Sequence, residues 1–374
     1  MVLDVFDKNF NRIENITTHS YAEYTKILNS QGSFEIHVPL DDTSRTIMSD
    51  GVFILLERDV CGIISGIQPT SNEETGEKML TIKGSLAKSL LNRRCIPSTV
   101  TLSGTVTSVV RSLVNAHAVN PTDTKRKLPI VLSSNSEYIP TSPSISTQVT
   151  GGTLQEAVEN LLETQEMGYD VAPILSQTAI TGFEFRVIAG KDRRISNASN
   201  NSPVVFSVDL KNILTSEYNY NTSDYKNIAY VAGEGEGSER VIVNTGDSDS
   251  EGLDRYELYV DARDLQSVDE DSEPISSADY EKMLIVRGNA KLKENIIEET
   301  YVATINQSNS QFTYGIDYNL GDLVTIRDSS IGVTLDARVT QIQAVSEGER
   351  SILNVTFGYY KMSTKQKLRR GGVI

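Results

Sequence analysis

Apolar and polar residues alternate in short runs broken by turn residues along most of this chain, the pattern of half-buried β-strands. LDVFDKNFNRI predicts a short strand, a turn at residues 7–9 and a second strand. SYAEYTKILNSQGSFEIHVPL predicts two more, and over residues 33–40 it sets Phe34, Ile36, Val38 and Leu40 on one side. GVFILLER, CGIISGIQPT and MLTIKG continue the series, with the polar turn SNEETGEK before the last. SLAKSLLNRRCI predicts a short helix, with Ser85 as its cap and Leu86, Leu90 and Leu91 facing inward. Residues 1–97 therefore predict a small antiparallel sheet or barrel plus one helix.

The period changes over residues 98–202. Val106, Val109, Val110, Leu113 and Val114 fall at helical spacing, as do Leu154, Val158, Leu161 and Leu162 behind a capping box of Thr153 and Glu156. An irregular Pro/Ser/Thr stretch separates the two helices. YDVAPIL and GFEFRVIAG then predict a hairpin, and SNASNNSP, residues 196–203, an exit linker. Strand patterns return from Val204. A helix with Tyr280, Met283, Leu284 and Leu292 is expected from 277 to about 294, and alternation resumes over 298–362. No repeat of fixed period occurs.

At 374 residues the chain exceeds what one core usually serves, so two to four domains are expected. It has no apolar run long enough for a membrane-spanning helix, and its acidic N-terminal stretch is unlike a secretory signal; synthesis in the cytosol is expected. Cys61 and Cys95 both lie among apolar residues and read as buried thiols, with a disulfide between them left open. Net charge is −15. The final 14 residues hold five bases and no acid, which leaves −20 on residues 1–360. Such a body repels phosphates over a broad surface, yet a negative wall also lets DNA slide through a pore. The basic tail reads as a frayed terminus or as a docking peptide.

Catalytic chemistry is sparse. His19, His37 and His117 have no partner at metal-ligand spacing, and His117 ends a helix, where a positive charge suits the dipole. There is no GxSxG elbow. Gly233, Gly235 and Gly237 form GEGEG, which lacks GK[ST] and carries two acids; glycines at a bend between domains explain it better than a phosphate loop. Asp247, Asp249, Glu251 and Gly252 begin like a calcium loop, but the twelfth position is Leu258, so residues 247–254 read as a hydrated acidic turn or a weak calcium site. Trp is absent, which lowers the sugar-cleft readings. No catalytic, cofactor-binding or metal residue is assigned, no cofactor is expected, and the chain is read as a non-enzyme.

Several pieces in order resemble the hub proteins of siphophage tails, the tail-associated proteins related to the trimeric hub of contractile tails. They are LDVFDKNFNRI with SYAEYTKILNSQGSFEIHVPL, then ERDVCGIISGI and TIKGSLAKSLLNRRCI, EYNYNTSDYKNIAYVAGEGEG, and the closing IDYNLGDLVTIRDSSIGVTLDARVTQIQAVSEGERSILNVTFG. Length brings it nearest the short hubs of lactococcal phage baseplates. The resemblance implies a β-rich α+β, multidomain chain with two small β-barrel-like domains and an inserted α/β module. Residues 1–97 with 203–235 would form the first barrel-like domain and 98–202 the insert. A connecting α/β segment with one helix would cover 236–300, and the second barrel-like domain with the basic tail 301–374.

It also implies a homotrimer in a pseudo-sixfold ring, at the distal tail tip or baseplate of the virion. There it would sit beneath a hexameric distal tail protein, with receptor-binding and tape-measure proteins as further candidate partners. DNA would meet it only in transit, and residues 98–202 would be the movable closure that opens for DNA ejection. Two other classes stay open: a host-surface adhesin binding cell-wall carbohydrate, and a hydrolase with an unrecognised carboxylate pair.

Overall fold

The computed structural model describes residues 1–358 except 2, 72–75, 77, 178, 238–239, 270–272, 307–310 and 349. The basic tail from 361 onward thus lies outside the described residues. The chain divides into two compact units, residues 1–190 with 342–354, and residues 191–341 with 355–374. Strands dominate both.

The first unit opens with β1 (Asp4–Phe6), β2 (Arg12–Asn15), β3 (Tyr21–Ile27) and β4 (Ser30–Pro39). A helix α1 (Asp42–Asp50) follows, then β5 (Phe53–Glu57), β6 (Val60–Ser71) and β7 (Lys78–Leu86). These seven strands form an open antiparallel sheet in the order β3-β4-β7-β6-β5-β1-β2. The predicted alternation holds in β4, where Phe34, Ile36 and Val38 are buried. The unbroken apolar run in β5 has a different cause. Phe53 and Leu55 face one core while Ile54 and Leu56 face another, so both faces of the sheet are covered.

Helix α1 was not expected from the sequence. Its signal is the capping box of Asp41 and Ser44, a short pair easily taken for a turn. The predicted helix after β7 is a 3-10 helix, Ala87–Arg93. Leu86, Leu90 and Leu91 are buried as expected, but Ser85 belongs to β7 and caps nothing.

Next come β8 (Val100–Thr105), α2 (Val106–Val114), a π turn (Asn115–Val119), β9 (Ile130–Leu132) and β10 (Ser144–Val149). Helix α3 (Leu154–Glu163) and the hairpin of β11 (Gly168–Ser176) and β12 (Ala179–Ile188) complete the segment. All nine apolar helix positions named from periodicity are buried, and the Thr153–Glu156 capping box is formed. Strand β9, in the stretch read as irregular, pairs parallel with β12. This segment does not own a separate core. One cluster runs from Phe6, Phe53, Leu55, Cys61 and Ile63 through Leu91, Val110 and Val158 to Phe183 and Val187.

The second unit contains β13 (Val205–Ser207), β14 (Ile213–Asn221), β15 (Ile228–Ala232), β16 (Ile242–Gly246), β17 (Glu257–Asp261) and α4 (Ser277–Lys293). It ends with β18 (Glu298–Ile305), β19 (Leu323–Asp328), β20 (Val333–Glu347) and β21 (Arg350–Gly358), whose last two strands also contribute to the first unit. Strand β13 pairs parallel with β19. That pairing places residues 204–207 in this unit rather than with 1–97. The smaller sheet, β16-β15-β17, carries α4 on one face, where Gly288 lets the helix sit against Val231 and Thr245. The GEGEG glycines lie in the connection from β15 to β16 and so link neighbouring strands of one sheet, not two domains.

Among the described residues no sheet closes on itself, so the chain is β-rich with several open sheets rather than barrels. The second unit is pinned by a buried carboxylate. Asp328 is 0% exposed and accepts hydrogen bonds from Tyr301 Oη (2.5 Å), Ser216 Oγ (2.8 Å) and the Ser330 amide (3.0 Å). Burial raises its pKa, but the bonds from Ser330, Tyr301 and Ser216 outweigh it and hold the group down at about 2. A depressed carboxylate contributes stability above its unfolded value, and that contribution is lost as pH falls toward 2. Asp328→Ala is expected to destabilise this unit by about 2–4 kcal/mol at neutral pH and to flatten its acid-side melting profile, as read by calorimetry from pH 7 to 2.

Candidate functional site

Buried charge gathers where the first sheet meets the segment after it. Lys88, 2% exposed at the start of the 3-10 helix, donates to the carbonyls of Ile27 (2.6 Å) and Leu28 (3.1 Å). Its ammonium also stands 4.3 Å from the centre of the Tyr169 ring. Lys26, from β3, bridges Asp170 (3.1 Å) and Asp59 (3.2 Å). Tyr169 Oη donates to Glu159 (3.1 Å), which also accepts from Gln155 Nε2 (2.8 Å) one turn earlier on α3. Gly168 begins β11 beneath the β3–β4 turn, where a Cβ would overlap the Leu28 carbonyl oxygen.

The two carboxyls respond in opposite directions. Burial raises the pKa of Asp170, but Lys26 and Lys88 outweigh it, so the group is held low and charged. Glu159 is pushed up to about 7, chiefly by burial, against the hydrogen bond from Gln155 and the charge of Lys88. The network can hold two strands, a 3-10 helix and a helix in register. It offers no arrangement of nucleophile, base and open space for catalysis.

The residues singled out in the sequence are scattered. His19 contacts Ser346 Oγ (3.0 Å). His37 stacks on Tyr21 and meets Glu35 at 2.7 Å. His117 sits buried in the π turn, where burial and then the charge of Arg126 lower its pKa, so the imidazole is neutral and the expected interaction of its charge with a helix dipole is absent. Cys61 is buried and its thiol pKa is pushed up by burial; Cys95, read as buried, is exposed where it bridges to Thr153, and both are free thiols.

Asp247, Asp249, Glu251 and Asp254 line an open cleft of about 520 Å³ together with Tyr225 and Tyr256. Asp247 spends an oxygen on the Asp249 amide (3.1 Å), and among the described residues no group of three His, Cys, Asp or Glu is placed to hold a metal ion. The Lys26–Lys88–Glu159–Asp170 network was missed in the sequence because its members stand up to 144 positions apart. The one local hint is Lys88 within an otherwise apolar helix face.

The sequence profile of the family described as Siphovirus ReqiPepy6 Gp37-like protein matches residues 2–359. No curated protein matches the chain by sequence. Among solved structures, the tail protein from Neisseria meningitidis MC58 is 13% identical with a TM-score of 0.52, covering 97% of this chain and 98% of that one. The 43 kDa tail protein of prophage MuSo2 from Shewanella oneidensis is 12% identical with a TM-score of 0.53, covering 96% and 98%. Prophage tail protein gp18 from Listeria monocytogenes EGD-e is 11% identical with a TM-score of 0.52, covering 99% and 97%. At these identities the likeness is one of fold.

The raised Glu159 sets a pH dependence. A free glutamate titrates near 4.5, so between about 4.5 and 7 the folded chain keeps a proton that the unfolded chain has lost. Its contribution is full below that window and lost as pH rises through it. Glu159→Gln keeps both accepted hydrogen bonds without the charge. It is expected to remove this slope and to be roughly 1–2 kcal/mol more stable than the parent at pH 8, with equal stability near pH 4.5. Chemical denaturation at the two pH values reads the difference.

Proposed function

We propose that this chain, which belongs to the Siphovirus ReqiPepy6 Gp37-like protein family and is a structural protein of the virion tail, forms the trimeric hub that closes the distal end of that tail. The observation that carries the reading is the phage-tail fold over nearly the whole chain, joined to the ordered resemblance of its segments to tail hubs. The open sheets support it. Strands β2 and β14 are edge strands, each with a row of backbone groups lacking a strand partner among the described residues. A symmetric ring of copies covers such edges, and neighbouring open sheets then make barrel-like walls around a channel.

In this reading the hub binds a hexameric distal tail protein on one side, and receptor-binding and tape-measure proteins are its further neighbours. It catalyses nothing. The acidic body keeps the channel wall from holding DNA as it leaves. Opening involves more than residues 98–202 swinging alone. Residues 106–187 of that segment share a core with Phe6, Phe53 and Ile63 and are tied by the Lys26–Asp170 ion pair, so swinging them out would expose that core and leave Asp170 without its ammonium partner. The first unit moves as a whole when the channel opens.

Native mass spectrometry of the purified chain, alone and with a purified distal tail ring, tests this reading. A trimer alone, or three copies per six-membered ring, is the expected result. A chain that stays monomeric in both settings overturns the hub and returns the weight to a host-surface adhesin.

A further inference from the structure

Charge is sorted along this chain. Residues 87–136 contain seven lysines and arginines and a single acid, Asp123, although the whole chain carries −15. The fold brings the outer members together. Arg94 Nε donates to the Arg126 carbonyl (2.5 Å) and its Nη1 to the Arg93 carbonyl (2.7 Å), while Arg126 Nη2 donates to the Cys95 carbonyl (2.6 Å). Lys125 and Lys127 flank Arg126 and are exposed. Asp123 is occupied in capping the Lys125 amide (3.0 Å). Among the described residues no carboxylate forms an ion pair with any of these five cations. Burial and the neighbouring charges of Arg126 and Arg93 depress the Arg94 pKa, the mark of like charges held close without compensation. Two arginine forks fixed by carbonyls are preorganised to receive oxyanions.

The second unit shows the converse. Residues 247–281 hold thirteen acids and two arginines. Asp247, Asp249, Glu251 and Asp254 have no ion-pair partner among the described residues. The neighbouring base, Arg255, is engaged by Glu257 (2.7 Å), Tyr230 Oη (2.8 Å) and the Ser250 carbonyl (3.3 Å) and pairs with none of these four acids.

A closed ring of three needs a heterologous interface, in which one patch of each copy meets a different patch of the next. We propose that copies of this chain join head to tail through these two surfaces, the Arg93, Arg94, Lys125, Arg126 and Lys127 face of one receiving the 247–254 loop of the next. This rests on the trimeric reading and names its contact. The match of charge selects orientation and partner, since single exposed ion pairs add little affinity, whereas reversing one side turns attraction into repulsion.

The test reverses exposed side chains, among which Asp249 takes one long hydrogen bond, from Ser248 Oγ (3.5 Å). The triple variant R93E/K125E/K127E, the triple variant D249K/E251K/D254K and their combination are compared with the parent by native mass spectrometry, alone and on the distal tail ring. Circular dichroism and melting temperature check the fold of each. Each triple variant is expected to need at least roughly tenfold more protein to reach the parent's trimer fraction, with the combination recovering most of the loss. The parent's trimer should also weaken in about 1 M salt, where charges are screened beyond about 3 Å. A parent trimer unchanged by either triple variant overturns this contact and leaves the hub reading standing. A parent that never forms three copies overturns both. If R93E/K125E/K127E leaves the trimer intact but loses salt-sensitive retention of double-stranded DNA, the basic face belongs to nucleic acid and the proposal fails.

Discussion

The antiparallel sheet of the first unit is buried on both faces, and the rest of that unit follows from this constraint. A sheet with one face in water needs only alternation, whereas the run Phe53-Ile54-Leu55-Leu56 demands two covering layers. On one side residues of the strands share one core with α1, whose Ile47 joins Val5 and Ile54. On the other it comes from residues 87–190, whose helices and hairpin have no separate core to retreat into. A segment that reads like an insertion is therefore half of the sheet's packing. By burial of apolar area, separating the two would cost more than a small domain can lose.

Charged groups at that junction add register where apolar packing adds mainly affinity. Lys88 reaches two carbonyls at the β3–β4 turn, and Lys26 neutralises Asp170 beneath the hairpin. Such buried pairs contribute little net stability over well-packed hydrophobic side chains, but removing one partner leaves a buried charge alone. The second unit uses the same device with Asp328, and again with Asp322, which accepts from the Lys191 amide (2.7 Å) and Arg193 Nε (2.9 Å). In each unit, polar anchors fix how strands distant in sequence meet.

An assembly protein has its function on its outside, and here the outside is marked by what is left unpartnered. Open sheet edges and two oppositely charged surfaces are both features that a lone chain keeps in water at some risk of wrong association. His117 and Cys61 are buried and do not reach that surface. Their microenvironments follow from packing, as with a histidine whose burial leaves it uncharged.

Alternation and helical period in the sequence settled the local architecture. The strands from β1 to β7, the apolar faces of α2 and α3, the Thr153 capping box and the span of α4 were all readable, because each depends on neighbours within a few positions. Short elements lacked enough residues to show a period, so α1 and β9 were missed, and the helix after β7 proved to be a 3-10 helix. Cys95 is exposed and forms a β-bridge with Thr153, 58 positions away, which no local pattern records. The family resemblance was also legible, since it lies in the order of segments. Only tertiary structure could place residues 204–207 against β19, join residues 98–190 to the first core, and bring Lys26, Lys88, Glu159 and Asp170 together. Local forces act over a turn of helix or a pair of strands, while these contacts are chosen by which buried surfaces and charges fit one another across the whole fold.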